Sequence, residues 1–275
     1  MAGRAALRFP TSHSEQIDVY LPPTSTSISP TTSTKLSKPF VTLTFATSLD
    51  SQLALAPGVQ TALSGPESKA MTHYLRSKLD AILIGVGTAV ADDPSLNCRI
   101  EGVGGYGGEG LKGQPRPVVL DPKSRWNITS ESKVMQLARE GAGKAPWIIT
   151  QAPISEEKQR LLEEVGGKFI SIPPSSGVSL LSWRDILSSL AGEGIQSVMI
   201  EGGGVVINEL LSSENFDLVD SVIVTIAPTW LGKGGVQVCP DGREEDGRRI
   251  PVGSLKDVRW VPLGNDVVLC GYPKV

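Results

Sequence analysis

Cysteine, histidine and aromatic residues are scarce in this chain of 275 residues. The three cysteines, Cys98, Cys239 and Cys270, are odd in number and far apart. They form no disulfide framework, so a reducing compartment, the cytoplasm, is expected. His13 and His73 are its two histidines, too few soft ligands for a zinc site. No apolar run approaches the roughly 18–20 residues that cross a bilayer, and the first residues lack the apolar stretch of a secretory signal. Neither sign of charge dominates: 26 Lys plus Arg face 29 Asp plus Glu, a net charge of −3. That balance argues against a protein built to coat nucleic acid or an anionic membrane. No phosphate loop ending in GK[ST], no G-x-S-x-G elbow and no H-x-E…P-C-x-x-C signature occurs. NTP hydrolases, serine hydrolases and zinc deaminases are therefore disfavoured.

Hydrophobic residues make up 40% of the chain, enough for a sizeable core. Residues 1–37 are expected to be a flexible extension, because 11–37 are dominated by Ser, Thr and Pro. His13 falls in it, which removes it from catalysis. Residues 38–275 read as one domain. PFVTLTFATSLDS alternates, with Val41, Leu43 and Phe45 on one face and Thr42, Thr44 and Ala46 on the other. That is a strand with a polar or ligand-facing side. Met71, Leu75 and Leu79 recur at helical spacing, and AILIGV reads as a buried strand. The glycine-rich stretch 101–114 reads as a mobile surface loop. Further strands are expected at PRPVVLD, APWIITQ, KFISIPP, QSVMIEG and DSVIVTIAPTW, with helices over 156–165, 183–190 and VVINELL. SLKDVRWVPLGNDVVLCGYP alternates around a Gly-Asn turn and reads as a hairpin. Strands alternating with helices predict an α/β fold: a mostly parallel sheet with an antiparallel C-terminal end.

Two glycine turns carry the chemistry. In SVMIEGGGVVINELL a buried strand runs into three glycines and then a helix. Glycines permit close approach of a ligand, and the first helical N–H groups favour an anion. That favours an anion site over a tight turn alone. In ILIGVGTAVADDP the turn opens as G-x-G, but Val90 stands where a Rossmann fingerprint needs Gly or Ala, and Pro94 stops the helix early. Thr88 and Asp92, four apart, share a face. Ligand contacts, or an N-cap with a solvated acid, are level readings for this pair. Two such turns in one sheet suggest a pyrophosphate-bearing ligand, hence a dinucleotide.

The motifs TFATSLD, ESKAMTHYLR, ILIGVGTAVADDPSLNCR, RPVVLDPKSRW and VMIEGGGVVINELL, in this order, resemble the riboflavin-pathway pyrimidine reductases of the fungal and archaeal type. The same domain forms the C-terminal end of bacterial bifunctional deaminase–reductases. The resemblance implies a dihydrofolate-reductase-like fold, NADPH as cofactor, a homodimer and a small-molecule substrate. That substrate would be 2,5-diamino-6-(ribosylamino)-4(3H)-pyrimidinone 5′-phosphate, reduced at C1′ to the ribitylamino compound. It implies NADPH contacts at Ala46, Thr88, Asp92, Gly203, Gly204, Val205 and Val206. Ser124 and Arg125, after VVLD, suit the adenosine 2′-phosphate, a solvated turn being nearly as good a reading. Substrate contacts are implied at Ser68, Arg76, Leu96, Arg99 and Glu201, with the two guanidiniums converging on the 5′-phosphate. Thr44 stands where bacterial relatives often carry Lys, so no ammonium acts there. His73 reads as a helix-surface or structural histidine, because a cationic form is disfavoured one turn from Arg76. A dihydrofolate-type pteridine reductase, a non-catalytic NADP-binding protein and an interaction module working through the tail remain as alternatives.

Overall fold

The computed structural model describes residues 5–23, 37–173 and 181–274. The elements run α1 (Thr11–Ile17), β1 (Phe40–Thr47), β2 (Gln52–Ala54), α2 (Pro66–Lys78), β3 (Ala81–Gly85), α3 (Val86–Asp92), β4 (Arg116–Leu120), α4 (Lys133–Arg139), β5 (Trp147–Thr150), α5 (Glu156–Glu163) and β6 (Lys168–Ser171). They continue with α6 (Trp183–Gly192), β7 (Ser197–Ile200), α7 (Gly204–Leu210), β8 (Ser221–Ile226), β9 (Val236–Gln237), β10 (Arg243–Glu245), β11 (Arg248–Ile250), β12 (Ser254–Leu263) and β13 (Asp266–Lys274).

Among the described residues nine strands form one sheet, ordered β12-β13-β8-β1-β7-β3-β4-β5-β6. From β8 to β6 all neighbours are parallel, whereas β13 and β12 pair antiparallel at the β8 side. The mixed, mostly parallel sheet and the C-terminal hairpin match expectation. After β3 the chain steps outward to β6. It then returns to lay β7 between β1 and β3, and this reversal is where open α/β sheets bind ligands.

Both faces are covered, which is why the strands are apolar on both sides. On one face α6 and α7 bring Ile186, Leu190, Ile207 and Leu210 onto Leu43, Leu83, Val198 and Ile200. On the other, Met71 and Leu75 of α2 pack with Met199, Ile223 and Val268. Val134, Met135 and Leu162 cover Ile82, Ile84 and Val119 there. Helix α2 is favoured locally by Pro66 in its first turn, Glu67 beside it and Arg76 and Lys78 in the last turn. All three cysteines are free thiols.

Four expectations need correction. Residues 5–23 are not a flexible extension. Ile17, Tyr20 and Leu21 are buried against Met71, Leu75, Leu79 and Val261. Their short apolar pattern was hidden by the Ser/Thr/Pro block that follows, and residues 24–36 lie outside the described ones. Ile17→Ala is expected to cost about 2–5 kcal/mol, as for a buried large-to-small change, read as a lowered urea midpoint. The 101–114 stretch is a closed, self-bonded loop. Gln114 Nε2 donates to Cys98 O and Gly104 O, both at 2.8 Å. A Cβ at Gly105 would stand 2.7 Å from Ala142 Cα, so glycine serves backbone packing there. DSVIVTIAPTW ends as a strand at Ile226, short of the expected Trp230, and β8 is paired on both sides. Edge strand β12 exposes Trp260 and Val258. Finally, α4 and the small pairs β2–β9 and β10–β11 had no expected counterpart.

Candidate active site

Strands β3 and β7 are hydrogen-bonded neighbours, with Leu83 opposite Ile200. Their carboxyl ends turn side by side into α3, capped by Gly85, and α7, capped by Gly203. The two turns touch. A Cβ on Gly203 would lie 3.5 Å from Thr88 Oγ1, and one on Gly85 would lie 3.0 Å from Val206 Cγ2. Gly202, at φ 153°, takes a backbone conformation that other residues rarely adopt. Both turns open onto one cavity of about 1520 Å³. Single-ligand clefts are usually about 300–1,000 Å³, so this one has room for two ligands.

The glycines divide their labour. Gly203 is exposed at the cavity. Gly204 is bare for another reason: a Cβ there would stand 2.6 Å from Val236 Cγ1. It makes room for β9, which the sequence reading credited to a ligand. Val205 is 73% exposed on the cavity wall, while Val206 is buried and packs beneath. As the first turn of α7, Gly204, Val205 and Val206 present N–H groups that a helix cannot satisfy itself.

Ala46, Thr88, Asp92 and Arg125 also line the cavity. Burial pushes the Asp92 carboxyl above its ordinary value, and nearby Lys133 opposes that shift. Ser124 is not on the wall; its hydroxyl accepts from Lys158 Nζ at 3.3 Å. The turn carrying both residues is held by Asp121, a buried carboxylate that accepts the N–H groups of Arg125 (2.9 Å) and Trp126 (2.8 Å). Lys123 and Lys133, which sequence reasoning missed, join Arg125 on the wall. Lys133 comes from α4, an element with no signal strong enough to place it.

Among the implied substrate residues, Arg76, Leu96, Arg99 and Glu201 line the same cavity. Ser68 does not; it is fully buried, with its hydroxyl lacking a partner. Arg76 is committed to Glu201, Nη2 donating to Oε2 at 3.0 Å, and Nη1 donates to Asn97 O at 3.2 Å. That ion pair answers the cost of burying Glu201 at a strand end. It leaves Arg76 Nε and Glu201 Oε1 enclosed without a partner. Leu96 sits at φ 53° and packs its side chain in the core beside the cavity. A left-handed leucine costs of order 1–3 kcal/mol, a strain that clusters at functional sites.

Arg99 donates from Nη1 to Ala5 O at 2.9 Å, and its Nε lies 3.3 Å from His73 Nε2. His73 is 8% exposed, hence a structural histidine on the wall and not a surface one. Lys69 and Thr72 share that wall with His73 and Arg76. The 69-72-73-76 stripe follows helical spacing and was readable in ESKAMTHYLR.

Comparison with known proteins places this geometry. The family model described as the RibD C-terminal domain matches residues 39–269. The chain belongs to the RibD C-terminal domain family. It is 40% identical over 236 residues to the 2,5-diamino-6-ribosylamino-4(3H)-pyrimidinone 5′-phosphate reductase of Debaryomyces hansenii, covering 85% of this chain and 89% of that one. The namesake from Saccharomyces cerevisiae is 39% identical over 234 residues, covering 84% and 86%. The solved yeast riboflavin biosynthesis reductase Rib7 superposes with a TM-score of 0.71 at 33% identity, over 95% of this chain and 99% of that one. RibD of Acinetobacter baumannii shares the fold, with a TM-score of 0.67 at 24% identity over 87% of this chain and 59% of its own.

The sheet of this RibD C-terminal domain protein is thus the dihydrofolate-reductase-like one, as the resemblance implied. Thr44, on the polar side of β1, is buried and lines the cavity. No helix among the described residues is long and apolar enough to cross a membrane.

Proposed function

We propose that this chain reduces 2,5-diamino-6-(ribosylamino)-4(3H)-pyrimidinone 5′-phosphate to its ribitylamino 5′-phosphate, using NADPH, as a cytoplasmic homodimer. The observation that carries this reading is the shared cavity. Two adjoining glycine turns open onto it together with Arg99 and the Arg76–Glu201 pair.

The residues present fit the cofactor. Gly203 leaves open space beside Thr88, and the first-turn N–H groups of α7 favour a pyrophosphate. Arg125, Lys123 and Lys133 offer a cationic wall suited to a phosphate monoester. Ser124 drops out of that role because it is not on the cavity wall. Ala46 contributes a small side chain where the nicotinamide would pack. NADPH, when bound, supplies a hydride for C1′ of the opened ribosylamine. The chain's own part is orientation and electrostatics.

The charge of Arg76 is already matched by Glu201, so the substrate phosphate is assigned to Arg99. Arg76 acts by fixing Glu201, whose carboxylate accepts from ribose or pyrimidine donors. The exposed edge of β12, with Trp260 and Val258, supports the homodimer. The free thiols fit a reducing cytoplasm.

In a test, purified protein, NADPH and the ribosylamino substrate should show substrate-dependent loss of NADPH absorbance. Dihydrofolate in its place should give none. No loss with the ribosylamino compound, or turnover with dihydrofolate, would reverse the assignment.

A further inference from the structure

Arg99 is clamped from two sides. From α2, the His73 ring lies against Arg99, with Nδ1 3.2 Å from the backbone N and Nε2 3.3 Å from Nε, and the neutral imidazole accepts at one of the two. From the N-terminal side, Leu7 N donates to Arg99 O at 2.8 Å, and Glu101 N donates to Leu7 O at 2.9 Å. This makes a parallel bridge between Leu7 and Ile100. Arg99 Nη1 reaches back to Ala5 O at 2.9 Å. Arg8 grips Glu101 through two nitrogens, Nη2 lying 2.9 Å from Oε1.

The N-terminal segment is itself anchored. The Phe9 ring lies 5.0 Å from that of Tyr74 on α2, and α1 behind it buries Ile17 in the core beside Met71 and Leu75. So residues 5–8 run from a fixed post across to the loop that carries Arg99. A long side chain held by bonds to both its main chain and its guanidinium has lost its rotamer freedom before a ligand arrives.

We propose that residues 5–8 are a strap of the active site that positions Arg99 for the substrate's phosphate. The proposal rests on the assignment of that phosphate to Arg99. It makes the N-terminal segment a specificity element, where composition alone predicts a flexible extension.

The test uses the full chain carrying Leu7→Pro, which removes the N–H bonded to Arg99 O, and a second chain lacking residues 1–8. KM and kcat for the phosphorylated substrate are measured, with KM for its dephosphorylated form, the NADPH Kd and the melting temperature. Both chains are expected to raise KM for the phosphorylated substrate roughly tenfold, the scale of a weakened bond to a charged group. The dephosphorylated KM and the NADPH Kd should stay within about twofold. Arg99→Ala is run beside them. An unmoved KM in the strap variants next to a raised KM in Arg99→Ala overturns the strap alone. An unmoved KM in Arg99→Ala overturns the phosphate assignment and the strap with it. A fall in melting temperature with both KM values and the NADPH Kd shifting together marks a merely structural segment, and also overturns the proposal.

Discussion

Val205→Glu is expected to leave the fold standing and to remove the cofactor. Val205 is 73% exposed, so no packing is lost by replacing it. A carboxylate in the first turn of a helix is favoured by the helix dipole, by about 0.3–1 kcal/mol, so α7 itself gains slightly. For a bound pyrophosphate the same charge is hostile. Two like charges at about 5 Å and an effective dielectric near 20 repel by about 3 kcal/mol, or roughly 100-fold in Kd. Calorimetric titration should therefore show NADPH affinity lost at an unchanged melting temperature. Unaltered affinity would mean that the diphosphate lies elsewhere. Val205 is a better probe than Gly204, where any side chain meets Val236 first and loss of binding would merely report misfolding.

Arg76→Ala and Glu201→Ala are each expected to cost about 3–5 kcal/mol of stability, while the double variant costs well under the sum. The two side chains are only 13% and 20% exposed. Removing one partner strands the other charge in a poorly solvated wall, whereas removing both strands neither. A double-mutant cycle from urea unfolding reads the coupling directly. Strict additivity would show that each group is solvated independently, and would take away Arg76's role in holding Glu201. Turnover should collapse in both single variants, because Glu201 loses either its carboxylate or its orientation.

Much of the fold was readable because local and global signals agree. The alternation of β1, the helical spacing of Met71 and Leu75, and the Gly-Asn hairpin each follow from a period that tertiary structure did not override. Both glycine turns were also readable as strand-to-helix turns, and both open onto the cavity. Their contact with each other was not readable, since Gly85 and Gly203 meet only through the pairing of β3 with β7. The same limit hid the structural neighbours of individual residues. Val236 stands against Gly204, Glu201 against Arg76, Ala5 against Arg99 and Lys158 against Ser124. Each partner is distant along the chain and gives no short-range pattern. The N-terminal helix failed differently, because three apolar side chains in a polar stretch are too weak a signal until α2 gives them a surface.

The late insertion of β7 sets a condition on biosynthesis. Until a ribosome has delivered the chain past Ile200, β1 lacks both of its sheet neighbours, β7 and β8, and β3 can pair only with β4. A nascent chain paused there holds β1 apart from the β3–β6 strands, with only one of the two glycine turns made. Its unpaired strand edges are a target for chaperones and for pairing with other unfinished copies.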